Sequence, residues 1–333
     1  MLSPSRLNDF LGCEHRTWLD LLVENGQLDR PNDGRPADDR LRERGLAHEA
    51  RVLDAHREQG RRVVEIEPGG TFAERAAATT EAMRDGADVI YQACLQHDGW
   101  LGFPDFLVRV DEPHSALGPF SYEVHDAKLA RDSRPGYVFQ LLFYDRELTR
   151  IQAARPRWMH LVLGDGARHS YRPEEFAAYG ERVRRRYVER RAELAAGNGA
   201  QVTYPYQVEH CQFCPWWKRC ADRRRADDHV SLVATVNRTQ AIRLEAAGVD
   251  TVGALAQLPT GTPVPKLAHE TLAGMPLQAS LQLDSRRLAT PGHVVLEPEH
   301  GHGLHRLPRP SDGDLFFDFE GDPWWGDEGL EYL

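Results

Sequence analysis

The chain is almost without lysine. Its 333 residues carry 41 basic Lys and Arg side chains, and only Lys128, Lys218 and Lys266 are lysines. It also lacks any apolar run approaching the roughly 20 residues of a membrane-crossing helix. The opening Met1-Leu2-Ser3-Pro4-Ser5-Arg6 has no basic stretch followed by an apolar one, so no secretion signal is expected and a cytoplasmic location is. Cysteine is sparse: Cys13, Cys94, Cys211, Cys214 and Cys220. An odd count without a leader argues against a disulfide framework. Positive charge is not in excess either. The formal net charge of −10 excludes a generally basic nucleic-acid coat and leaves room for a local basic channel. No repeat of fixed period occurs. What is present is an ordinary globular composition, 41% hydrophobic and 28% charged, long enough for two domains and a real core.

Scarcity makes Lys128 informative. Tyr122-Glu123-Val124-His125-Asp126-Ala127-Lys128 reads as a strand, whose alternation puts Tyr122, Val124, Asp126 and Lys128 on one face. An arginine stays protonated, whereas a lysine can shift its pKa and act as a point charge or a base. A carboxylate beside an ammonium suits metal-assisted phosphodiester hydrolysis. The carboxylate holds a divalent cation, and the lysine orients or deprotonates a water or meets the charge growing on the phosphate. A lone D-x-K is more often a surface ion pair on an edge strand, so the surrounding chain has to decide.

Helical spacing with Ser3-Pro4 as a start predicts a helix over 3–25, with Cys13 on it or at a break after Gly12. A loop follows over 26–40, then a long polar helix from Asp38 to Gln59 carrying His48 and Glu49, a short strand over Arg61–Glu67 and a helix over Thr71–Asp85. Strands are expected at Val89–Leu95, at Trp100–Val110 with Asp105 inside, and at Gly118–Leu129, a meander that brings Asp105 near Asp126. A helix over Pro135–Arg150 puts Gln140 and Tyr144, four apart, on one face. A strand over Trp158–Leu163 with His169–Tyr171 pairing back and a long Arg-rich helix over Pro173–Ala196 complete this part. Beyond it, two short helices are expected at Asn237–Ala247 and Val252–Leu258. Residues 259–313 hold many Pro, Gly and His, with a short helix expected at 266–273, and a last strand starts near Leu315.

Gly45-Leu46-Ala47-His48-Glu49, Gly102-Phe103-Pro104-Asp105, Asp126-Ala127-Lys128 and Gln140-Leu141-Leu142-Phe143-Tyr144 follow one another over about a hundred residues. In this order they resemble the RecB-like branch of the PD-(D/E)xK nuclease superfamily. The resemblance implies an α/β fold, a central mixed sheet flanked by helices as in restriction endonucleases. It implies a Mg²⁺ or Mn²⁺ ion held by His48, Asp105, Asp126 and the carbonyl of Ala127, with Lys128 as catalytic lysine and Gln140 and Tyr144 contacting substrate. A histidine among hard oxygen ligands shifts the expectation toward tolerance of Mn²⁺. Glu49 is kept as a weaker neighbour of the ligands. Glu123 points to the other strand face and is left out. Singly, His48 would read as a solvated helix histidine and Asp105 as a turn carboxylate.

Cys13 with Cys211, Cys214 and Cys220, a distant cysteine plus C-x2-C-x5-C, departs from the two close pairs usual in structural zinc sites. It resembles the iron–sulphur staple of AddB-type and CRISPR-associated RecB-family nucleases, which implies a [4Fe-4S] cluster on four thiolates, with zinc as the alternative. Such a staple would close a loop of about two hundred residues whose entropy is otherwise costly. Cys94 reads as a buried small hydrophobe. Trp216 and Trp217 read as packing around the thiols more than as base-stacking platforms.

Three weaker patterns complete the reading. Arg182, Arg184, Arg185, Arg186, Arg190 and Arg191 could track a phosphate backbone; pairing with Glu181, Glu189 and Glu193 is at least as good an account. Gly248-Val249-Asp250-Thr251-Val252 between two short helices resembles a degenerate helix–hairpin–helix, the alternative being plain helical packing. Asp318-Phe319-Glu320 resembles the first motif of RNase H-like, DEDD-type exonucleases, a site that needs later carboxylates. The expected organisation is a nuclease domain over 1–228, a helical segment over 229–290, and a linker with the truncated start of an exonuclease domain over 291–333. The resemblance implies a metal-dependent DNA nuclease in repair or recombination, acting on single-stranded or end-bearing DNA, with no membrane partner and with a helicase partner or a further helicase part. The competing expectation is a non-catalytic DNA-binding or assembly module whose thiol site is structural.

Overall fold

A computed structural model describes the chain except residues 32–35, 198–202, 296, 298, 323–329 and 333. Its contacts divide it into two units, Met1–Ser280 and Leu281–Leu333. The expected boundary at 228/229 falls inside the first.

The first unit begins with helices α1 (Pro4–Gly12) and α2 (Glu14–Glu24). Ser3 starts α1 by accepting the Arg6 N–H at 3.2 Å, with Pro4 in the first turn. Of the two expectations for Cys13 the break holds: its backbone is extended while its N–H closes onto Asp9 O at 2.8 Å. There follow α3 (Pro36–Glu58), β1 (Val63–Glu65), α4 (Phe72–Arg84), β2 (Val89–Tyr91), β3 (Leu95–His97), β4 (Trp100–Gly102), β5 (Phe106–Val110) and β6 (Ser121–Lys128). Then come α5 (Pro135–Gln152), β7 (Met159–Leu163), β8 (Arg168–Tyr171) and α6 (Pro173–Ala196). Thr71 and Glu74 close a reciprocal cap on α4: Thr71 Oγ1 accepts the Glu74 N–H at 3.2 Å, and Glu74 accepts the Thr71 N–H at 2.6 Å.

Six strands form one mixed sheet in the order β1-β2-β5-β6-β7-β8, and β3 and β4 form a separate hairpin. The β2–β5–β6 ladder is antiparallel, β6–β7 is parallel across the α5 connection, and β8 returns antiparallel on β7. The fold is therefore α/β, a central six-strand mixed sheet flanked by helices with a helical segment after it. The antiparallel run is the expected meander, but two of its strands are shorter than the apolar pattern implies. Trp100–Val110 splits into β4 and β5 with Asp105 between them, and Val89–Leu95 splits into β2 and β3. Pro104 has no N–H to give a ladder, which suits a gap there.

Alternation along β6 divides the core. Tyr122 and Val124 join Leu107, Leu141, Leu148, Leu161 and Met83 in the main cluster, under α4, α5 and α6. Ala127 packs on the other side with Leu53, Val52 and Phe106, under α3. Each fully buried leucine here contributes about 1.5–3 kcal/mol. Cys94 is 1% exposed, as expected of a small hydrophobe.

After α6 come helices Trp217–Ala226, Arg238–Ala246, Val252–Ala256 and His269–Ala273, then Met275–Leu288. The last lies within the helical segment expected over 229–290, beyond the short helix expected at 266–273; its propensity is unbroken from Leu277 to Leu288, and a Pro in the first turn of a helix is tolerated. Among the described residues of the second unit, the strand near the expected start at Leu315 is Glu320–Asp322, paired with Leu330–Tyr332. Among the described residues, no helix is long and apolar enough to cross a membrane.

Candidate active site

Asp126 is wholly buried on β6, and the Lys128 ammonium, two residues on, forms an ion pair with its Oδ2. Asp105, in the gap before β5, accepts the backbone N–H of Ala127 on Oδ2 at 2.7 Å. On α5, Gln140 Nε2 lies 3.0 Å from the Tyr144 hydroxyl and 3.5 Å from Asp126 Oδ1. The Tyr144 hydroxyl donates to Phe103 O at 3.0 Å, back to the segment that carries Asp105. Gly102 permits this closure. A Cβ there would lie 2.5 Å from the Phe143 ring and 2.8 Å from the Tyr144 ring, nearer than carbon atoms approach.

Burial pushes the Asp105 carboxyl well up, and the charges of Asp126 and Glu49 add to it against the counter-effect of Lys128. Burial works to lower the Lys128 pKa, yet Asp126 and Asp105 outweigh it and leave the ammonium above its ordinary value. Lys128 thus stands as a held positive charge against neighbouring carboxylates. Burial first, then Asp126, also raises the Tyr144 hydroxyl well above the usual phenol range.

The structure brings together Asp105, Asp126, Lys128, Gln140 and Tyr144. It does not bring His48 to them as a ligand. The His48 Nε2–H donates to the Val162 carbonyl at 3.1 Å, and among the described residues no group of three or more His, Cys, Asp or Glu side chains closes to metal-holding geometry. The physical reason is the layer: α3 packs on the Ala127 face of β6, while Asp126 faces α5. Sequence reasoning missed Tyr91 and Gln92. Gln92 Nε2 donates to Glu49, which also accepts from the Tyr91 hydroxyl; burial, with that bond behind it, pushes Tyr91 to about 12. Gln92 adopts φ 53°, a conformation no local signal announces.

The donor set suits a hard divalent cation. The buried Asp126 and the half-buried Asp105, with the charge of Glu49 acting on Asp105, stand beside a single ammonium paired with Asp126.

Cys13, Cys211, Cys214 and Cys220 line one enclosed cavity with Arg16 and Trp216. Its volume is about 10 Å³, room for about one water-sized sphere. Burial pushes the Cys214 thiol up to about 11 and Cys220 to about 12, with the neighbouring thiols adding to both. Trp216 Nε1–H donates to Asp20 at 3.0 Å, so this indole packs the thiol layer against α2. The Arg-rich face of α6 is largely occupied by acids: Arg190 bonds Glu14 at 2.6 Å and Glu193 at 2.7 Å, Arg191 bonds Glu24 at 2.6 Å and Arg184 bonds Glu181 at 3.0 Å. In the second unit Asp318 accepts the Phe319 N–H at 2.9 Å, outside any strand.

No protein-family model matches the chain, and no curated protein matches its sequence. The class that fold and site define is an α/β protein with a buried carboxylate–lysine centre at the end of its central antiparallel strands.

Proposed function

We propose that this centre is the active site of a metal-dependent DNA nuclease of the RecB-like PD-(D/E)xK kind, hydrolysing phosphodiester bonds in single-stranded or end-bearing DNA. The observation that carries the reading is the convergence of Asp105 and Asp126 on one buried point with the rare Lys128 beside them. Asp105, Asp126 and the Ala127 carbonyl would hold a Mg²⁺ or Mn²⁺ ion. A bound divalent cation supplies charge neutralisation at the phosphate and a more acidic water. Lys128 brings its ammonium to the oxygen on which charge develops. Gln140 orients the Asp126 carboxylate, and Tyr144 ties Gln140 to the Phe103 carbonyl. No base-reading device accompanies the centre, so little sequence specificity is expected.

Cys13, Cys211, Cys214 and Cys220 would hold a [4Fe-4S] cluster or zinc, either of which requires these raised thiols to lose their protons. A non-catalytic module with a structural thiol site is the second reading, favoured by one observation: His48 is engaged by Val162. Cleavage of labelled single strands with Mn²⁺ decides. Cleavage by the wild type that Lys128→Ala and Asp105→Asn both abolish is the expected result; an inert wild type, or variants as active as it, favours the module.

A further inference from the structure

The sheet face opposite Asp126 carries an open cleft of about 1080 Å³. Its floor is the outward row of β6 and β7, Glu123, His125 and His160, and α3 with the following turn forms one wall. In a chain of net charge −10 this cleft is basic: Arg51, Arg61, Arg109 and Arg168 line it against Glu123 and Asp165.

Both acids are already engaged by local donors. Glu123 accepts the His160 imidazole at 3.0 Å and the Trp158 N–H at 2.8 Å. Asp165 accepts the Ala167 N–H at 2.9 Å. Arg109 lies 3.8 Å from Asp88 and covers the Phe120 ring. Arg61 and Arg168, both exposed, make no ion pair among the described residues. They come from different elements, the turn after α3 and strand β8, yet both act on the same buried imidazole, His125. Burial holds that ring well below its usual pKa, and the charges of His160, His56, Arg168 and Arg61 push the same way. Its ring centroid lies 4.2 Å from that of His160. Glu123 on Nε2 fixes the His160 tautomer, which leaves Nδ1 to accept the Ser170 hydroxyl at 2.8 Å. Trp158 supplies an aromatic wall, with the Arg172 guanidinium 5.0 Å from its ring centre.

An open trough lined by cations from several elements and by an aromatic ring is the arrangement that tracks a flexible polyanion whose bases can stack. An enclosed pocket would fit a small anion better. We propose that this cleft binds the sugar–phosphate backbone of a single nucleic-acid strand, with Arg61 and Arg168 as phosphate contacts and Trp158 as a stacking wall. The surface lies on the other sheet face from Asp126 and Lys128, so it requires neither a metal nor cleavage. Failure of the nuclease reading leaves it standing.

The test is binding of labelled oligothymidylate to the full chain, by fluorescence anisotropy in EDTA over a range of salt. Arg61→Glu with Arg168→Glu should weaken binding at least about tenfold and reduce the slope of log affinity against log salt by about 0.7 per arginine removed. Arg223→Glu with Arg225→Glu, exposed arginines paired with Asp227 and Asp222 elsewhere, is the charge-matched control. No binding by the wild type, an unchanged Arg61 and Arg168 double variant, or an equal loss in the control overturns the proposal. Polyphosphate that competes as well as unlabelled oligonucleotide at equal charge also overturns it, because the site would then be a general anion surface. Intact binding in a chain that cuts no DNA removes only the nuclease reading.

Discussion

Asp105 Oδ2 accepts the Ala127 N–H at 2.7 Å, so the carboxylate from the gap before β5 is fastened to the residue between Asp126 and Lys128. That single bond converts two separate sequence motifs into one centre. It also confines a charge in a place where burial and Asp126 both oppose it.

Asp105→Asn keeps an oxygen for the Ala127 N–H and removes the confined charge. The variant should be inactive in cleavage yet at least as stable as the wild type, by about 1 kcal/mol at neutral pH. Urea unfolding of the metal-free protein measures this; a clear loss of stability would mean that the carboxylate is not penalised in the fold.

Lys128→Ala leaves Asp126 wholly buried without its ammonium. Removing one partner of a buried pair costs about 3–5 kcal/mol, and removing both costs much less. A double-mutant cycle with Asp126→Ala should therefore show strong positive coupling in unfolding free energy. Additive effects would show that the pair is not held as described.

Asp145 offers a pH signature away from the proposed ligands. Burial raises its carboxyl from 3.8 to about 6, against the opposing pull of Arg155. Because the folded value lies above the unfolded one, the folded state holds the proton more tightly between these pH values. Its contribution is complete below pH about 4 and is lost as pH rises through about 6, by about 3 kcal/mol at most. Asp145→Asn should flatten stability over that window and raise it at pH 7, read from thermal unfolding across pH.

The four thiols act as one unit if they hold one group. Anaerobic purification with metal and sulphide analysis should find iron with sulphide, or zinc. Cys13→Ser and Cys220→Ser should each lose it, and the double variant should be no less stable than the worse single one. Full metal content in either single variant would separate Cys13 from the C-terminal triple.

Part of the centre was legible because it depends on local periodicity. The two-residue step from Asp126 to Lys128 and the four-residue step from Gln140 to Tyr144 follow from strand and helix geometry alone. So do the Ser3 and Thr71 helix starts, where a side-chain oxygen at the right offset is all the backbone needs. The position of Asp105 was only half legible. Its approach to Asp126 follows from the meander, but its gap between β4 and β5 is hidden by apolar residues on both sides.

Composition and order by themselves determined a succession of helices and strands, an uncommon lysine beside a strand carboxylate, and four cysteines, one near the start and three over 211–220. Tertiary structure alone decided what those residues touch. It turned His48 to the Val162 carbonyl because α3 covers the opposite face of β6. It drew Tyr91 and Gln92 onto Glu49 through an unusual backbone turn, and it set Arg61 and Arg168 around His125 from elements a hundred residues apart. Local periodicity assigns a side chain to a face; only the packing of layers determines which other face it meets.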